Sequence, residues 1–152
     1  MGALFAFFLG VGAAQAIKTA RYVAKRRREA QIYPVRDLCR DILRSLGLSG
    51  GMPSGHVCSL VSLTTYVAFQ EGLGSTAFAI CVGVTFWFMY DACNARHAIG
   101  EQAKILIHLL EEMREKIHVK VVEGHTFDEV AVGALLGIIT GGLAFVLAAH
   151  LA

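Results

Sequence analysis

The chain has 152 residues, 55% of them hydrophobic and 17% charged, with a formal net charge of +2. That is the length of one domain, and charge so sparse excludes an ordinary soluble globular protein, because so small a chain could not hide this much apolar surface from water. No nucleic-acid partner is expected.

The apolar residues come in blocks. In chain order, runs at 1–17, 57–69, 75–93 and 130–151 read as four transmembrane helices, since about 20 residues cross a bilayer. The second run is short, and Pro53 and the residues after it extend it into the headgroup region. The first run lacks a basic leader and a small-residue cleavage site, so it reads as a span rather than a signal peptide. Ala6 stands where myristoylation needs Ser or Thr. Segment 100–120 reads as a polar helix. Its Leu106, Leu109, Met113 and Ile117 recur at three- and four-residue steps, as in a helix lying on the membrane surface or on a basic connector. Gly133, Gly137 and Gly141 repeat every fourth residue on the last span, which predicts close helix packing, within one chain or across a homodimer. Cys39, Cys58, Cys81 and Cys93 show no paired metal spacing and read as small hydrophobic residues. The expected fold is an all-α integral membrane bundle of about four transmembrane helices plus a cytoplasmic-side polar helix, a single membrane domain over residues 1–152.

Charge sets the topology. All 14 Lys and Arg residues fall in two segments, from Lys18 to Arg44 and from Arg96 to Lys120. With four spans these segments lie on one side, and the positive-inside rule makes it the cytoplasmic side. That places four sequence-distant points on one membrane face. Lys18 ends the first span, and His56 begins the second after the turn Gly50-Gly51-Met52-Pro53-Ser54-Gly55. Arg96 follows the third, and His125 precedes the fourth, with Asp128 and Glu129 beside it.

Two imidazoles, an Arg, a Lys, a carboxylate and two helix N-termini together suit phosphoryl transfer. Cations and backbone N–H groups hold non-bridging oxygens. One His attacks phosphorus while the other protonates the leaving oxygen. A carboxylate one turn beyond the attacking His fixes its tautomer. Singly, each residue has a plainer reading: an interfacial His is structural, Lys18 snorkels, and the stretch from Asp91 to Arg96 caps and anchors a helix.

Pro53-Ser54-Gly55-His56 resembles the second signature of the type-2 phosphatidic acid phosphatases and vanadium-dependent haloperoxidases. The wider pattern is similar to the divergent branch of small membrane proteins in that superfamily. It is carried by Ala14-Gln15-Ala16-Ile17-Lys18, the turn from Gly50 to His56, Met89-Tyr90-Asp91-Ala92 through Arg96, Gly100-Glu101-Gln102-Ala103, and Gly124-His125-Thr126 with Glu129-Val130 and Gly133. The resemblance implies that His125 is the nucleophile, Glu129 its orienting carboxylate and His56 the general acid. It implies that Ser54, Gly55, Lys18 and Lys25 bind phosphate. Asp91 and Asp128 read from their positions as supporting residues. It implies a metal-independent lipid phosphatase without a cofactor, whose partners are a lipid phosphate and the bilayer. Two departures stand out. No Pro follows Lys25, and Val119 occupies the place of the third-signature Arg, for which Arg96 is the substitute. The alternative is a non-catalytic lipid-headgroup binder or scaffold that keeps the fold. The stretch from Asp91 to Arg96 also resembles the opening of the CDP-alcohol phosphotransferase motif, but the later Gly and Asp residues of that motif are missing.

Overall fold

The computed structural model describes residues 1–29, 39–40, 42–43, 51–113 and 125–151. Gly50, Gly124, Val119 and the stretch of the expected polar helix from 114 to 120 lie outside the described residues, as do the side chains of Arg96 and His97. Five α-helices have described bounds: α1 (Gly2–Glu29), α2 (Gly55–Glu71), α3 (Thr76–Cys93), α4 (Ala95–Glu112) and α5 (Phe127–Leu151). Residues 39–40 and 42–43 are also helical, and the described residues hold no strand.

Helix α1 runs well past its apolar stretch. The residues after Lys18 are mostly Ala, Lys, Arg and Glu, which are strong helix formers. Lys25 pairs with Glu29 one turn on at 4.0 Å, and Arg26, Arg27 and Arg28 complement the dipole in the last turn. Helix α4 likewise begins at Ala95, before the expected start near 100. Asn94 ends α3, its backbone and side-chain N–H groups both donating to the Tyr90 carbonyl at 3.0 Å, and the chain re-enters a helix at once. Ser75 opens α3 by accepting from the Phe78 N–H at 3.1 Å.

Helices α1, α3 and α5 provide segments long and apolar enough to cross a membrane. Their outward side chains are large and apolar, among them Phe8, Phe86, Trp87, Ile139 and Leu143, as lipid-facing surfaces require. Helix α2 has 17 residues and rises about 25 Å, short of the roughly 30 Å hydrocarbon core. It is the central helix, packed on α1, α3 and α5, while α4 touches only α3 among the described residues.

The core is built from small side chains. On α5, a Cβ on Gly133 would stand 2.8 Å from the Ser54 carbonyl, and one on Gly137 would stand 2.7 Å from the Cys58 carbonyl. Gly141 lies against Ser62 and Thr65. The glycine stripe is therefore spent within the chain, letting α5 lie against the α2 backbone. Gly10 does the same for α1, and the Ser62 hydroxyl donates to the Ala6 carbonyl at 2.7 Å across that contact. These contacts also set direction: α1 runs antiparallel to α2, and α5 parallel to it. The N-termini of α2 and α5 thus meet at one end of the bundle, where the second half of α1 passes.

Candidate functional site

The site grows from the start of α5. Thr126, Phe127, Asp128 and Glu129 have the spacing of a capping box. The Glu129 N–H donates to the Thr126 hydroxyl, and the Thr126 N–H to the Glu129 carboxylate, both at 3.4 Å. The same carboxylate oxygen lies 2.8 Å from His125 Nδ1. One side chain therefore caps the helix and orients the imidazole. His125 is 6% exposed, so its ring is enclosed by protein. The capping box was readable from Thr126 and Glu129 alone, yet the sequence reading used Glu129 only as a partner of His125.

Two backbone bonds carry this turn into the rest of the fold. The His125 N–H donates to the Ala92 carbonyl at 3.1 Å, tying it to the end of α3. The Ser54 N–H donates to the Glu129 carbonyl at 3.1 Å, tying the start of α2 to the first turn of α5. Val57, Ala92 and Val130 close an apolar cluster beneath these bonds. The loop 51–54 reaches its place through Gly51, whose φ of +78° suits glycine.

Ser54 is the N-cap of α2, but its hydroxyl makes no capping bond. It is fully buried and has no hydrogen-bond partner among the described residues. An orphaned buried hydroxyl costs about 1–3 kcal/mol, and one beside two helix N-termini suits an anionic ligand oxygen. Gly55 follows, and Lys18 of α1 brings its Nζ to 4.0 Å from where a Gly55 Cβ would stand. Lys18 also lies within electrostatic range of Glu129.

The structure thus brings Lys18, Ser54, Gly55, His125 and Glu129 into one neighbourhood. His56 stands in the first turn of α2 with an exposed side chain, its carbonyl accepting from the Ser59 hydroxyl at 2.9 Å. Asp91 is partly buried near the end of α3, and Asp128 is exposed at the start of α5. Arg96 lies in the first turn of α4. Lys25 is set apart from the group: its side chain is 77% exposed and pairs with Glu29. Among the described residues no group of three His, Cys, Asp or Glu side chains is placed to hold a metal ion.

Comparison with known proteins places the chain. The family model described as "Divergent PAP2 family" matches residues 2–140. Over 107 residues the chain is 33% identical to the "Uncharacterized membrane protein YuiD" of Bacillus subtilis (strain 168), a stretch covering 60% of this chain and 68% of that protein. No solved structure matches.

Proposed function

The chain belongs to the Divergent PAP2 family, and from that premise we propose that it is a membrane lipid-phosphate phosphatase acting through a phosphohistidine at the cytoplasmic leaflet. The observation that carries this reading is the enclosed His125–Glu129 pair, with Nδ1 bonded to the carboxylate at 2.8 Å. An Nδ1–H donated to Glu129 leaves the Nε2 lone pair for phosphorus.

In the first step Nε2 of His125 forms a bond to phosphorus as the bond from phosphorus to the leaving oxygen breaks. His56 gives its proton to that oxygen. In the second step His56 takes a proton from water, whose oxygen attacks the phosphohistidine and releases inorganic phosphate and free His125. Charge on the phosphoryl oxygens is met by Lys18, by the Ser54 hydroxyl and by N–H groups at the α2 N-terminus, which are positive without a metal. Substrates of phosphatidic acid, phosphatidylglycerophosphate or polyprenyl phosphate and diphosphate type fit a site at headgroup depth beside apolar helices. The one-sided Lys and Arg supply the cytoplasmic assignment.

The test is phosphate release from a panel of lipid phosphates by the detergent-solubilised protein, against His125→Ala. Release by the native protein and none by the variant supports the reading. Equal release by both overturns it. Activity is expected to survive chelation; strict dependence on added Mg²⁺ points instead to a metal held by Asp91 and Asp128. Val119, standing where the family signature has Arg, favours the second reading, a lipid-headgroup binder without turnover. Lipid-phosphate binding with no release by the native protein decides for it.

A further inference from the structure

The bundle's register points to an arginine that sequence spacing does not single out. Ala14 is fully buried on α1 and packs 4.0 Å from where a Cβ on Gly55 would stand, while Gly133 of α5 lies against Ser54. Ala14, Gly55 and Gly133 therefore share one level. Lys18 on α1 and Glu129 on α5 each stand four residues outward, about 6 Å beyond that level, and they interact electrostatically as that placement requires. His125 precedes α5, beyond Glu129 in the outward direction, its ring bonded back to Glu129. On α1 the corresponding level is reached at Arg21, seven residues and about 10 Å beyond Ala14.

Arg21 also stands on the correct face. Seven residues make two helical turns less about 20°, so Arg21 sits almost directly over Ala14, on the side of α1 that packs against α2. The face lined by Ala6, Gly10 and Ala14 inside the bundle is continued outside it by Lys18, Arg21, Lys25 and Arg28. Helix side chains lean toward their own N-terminus, and for Arg21 that direction is back toward the α2 and α5 N-termini. Lys25 is about 10 Å beyond Lys18 and is paired with Glu29. Arg21 is exposed and has no ion-pair partner among the described residues.

We propose that Arg21 supplies the guanidinium that grips the phosphoryl oxygens opposite His125, the position for which Val119 carries no charge. The ligand is a phosphoryl dianion, on a lipid or free in solution. A planar guanidinium can hold two of its oxygens at once, which a lysine cannot. The inference rests on the phosphatase reading, whose chemistry it completes.

The test has two arms on the full chain in detergent micelles, with Arg28→Ala as the control two turns farther out. In the first, binding of inorganic phosphate is titrated calorimetrically. Arg21→Ala is expected to weaken it about 10-fold or more, Arg21→Lys to fall between, and Arg28→Ala to change it less than about 3-fold. In the second, lipid-phosphate hydrolysis by Arg21→Ala is expected to lose kcat/KM by a similar factor, with an unchanged far-ultraviolet circular dichroism spectrum reporting an intact fold. Phosphate binding and turnover by Arg21→Ala within about 2-fold of the native protein overturn the role of Arg21 and leave the phosphatase reading standing. Failure of the native protein both to bind phosphate and to release it overturns the two together.

Discussion

The two ends of the bundle are held by different forces. At the end away from the site, Ala6, Tyr66 and Ala144 pack with Leu9 and Phe145, and the Phe145 ring lies 5.4 Å from Phe69, stacked, and 6.0 Å from Tyr66, edge-on. Apart from the bond from the Ser62 hydroxyl to the Ala6 carbonyl, these contacts are apolar and tolerate repacking. At the site end, the bonds from Ser54 to Glu129 and from His125 to Ala92 cross between segments through backbone groups, over an apolar cluster of Val57, Ala92 and Val130 with Val61, Met89, Cys93 and Ala134 packed against it. Backbone bonds are directional, so they fix where the α2 and α5 N-termini stand to within a few tenths of an ångström. Both ends contribute apolar cohesion; the site end adds directional bonds that set position, as a site made of helix N-termini demands.

This contrast is open to breakage. The largest effect belongs to His125→Ala, which is expected to reduce turnover to background while the unfolding temperature in detergent moves little. Gly133→Val comes next. Its side chain has to enter the space of the Ser54 carbonyl, so it is expected to destabilise by about 1–3 kcal/mol and to lower kcat as well. A stable, fully active Gly133→Val protein contradicts the view that α2–α5 contact sets the site.

Glu129→Gln keeps shape and loses charge, and a roughly 10- to 100-fold fall in rate is expected, as for other partners that orient an imidazole. Thr126→Ala removes only the helix cap and is expected to cost about 1 kcal/mol of stability with a smaller rate loss than Glu129→Gln. The reverse order of rates sinks the assignment of Glu129 as orienting group. Phe145→Leu, at the far end, is expected to lower stability by about 1 kcal/mol and to leave kcat unchanged. A rate loss there equal to that of Gly133→Val erases the distinction between the ends.

Much of the architecture was legible because membrane helices announce themselves as apolar blocks and because all Lys and Arg fall in two segments between those blocks. The His125–Glu129 contact was legible for a local reason: four residues on a helix bring two side chains over one another. The glycine stripe predicted close packing, but only the fold shows its partners to be Ser54, Cys58 and Ser62 of α2. The bond from Ser54 to Glu129 joins residues 75 positions apart through backbone atoms, and side-chain identity carries no sign of such a bond. The level of Arg21 depends on how far α1 slides along α2, a quantity set by Ala6, Gly10 and Ala14 packing and invisible in the spacing from Lys18. The extension of α1 to Glu29 is hidden from the apolar pattern, because its composition changes from apolar to basic while its helix propensity does not.

The most direct measurement is covalent trapping with a radiolabelled phosphate monoester. The native protein, quenched during turnover, is expected to carry acid-labile, base-stable label that maps to His125. His56→Ala is expected to form that label more slowly, except from esters with good leaving groups, which need less protonation. The pH–rate profile is expected to be bell-shaped, since His125 must be neutral while His56 is protonated. Phosphate release by the native protein with no covalent label, or equal labelling of His125→Ala, contradicts the account.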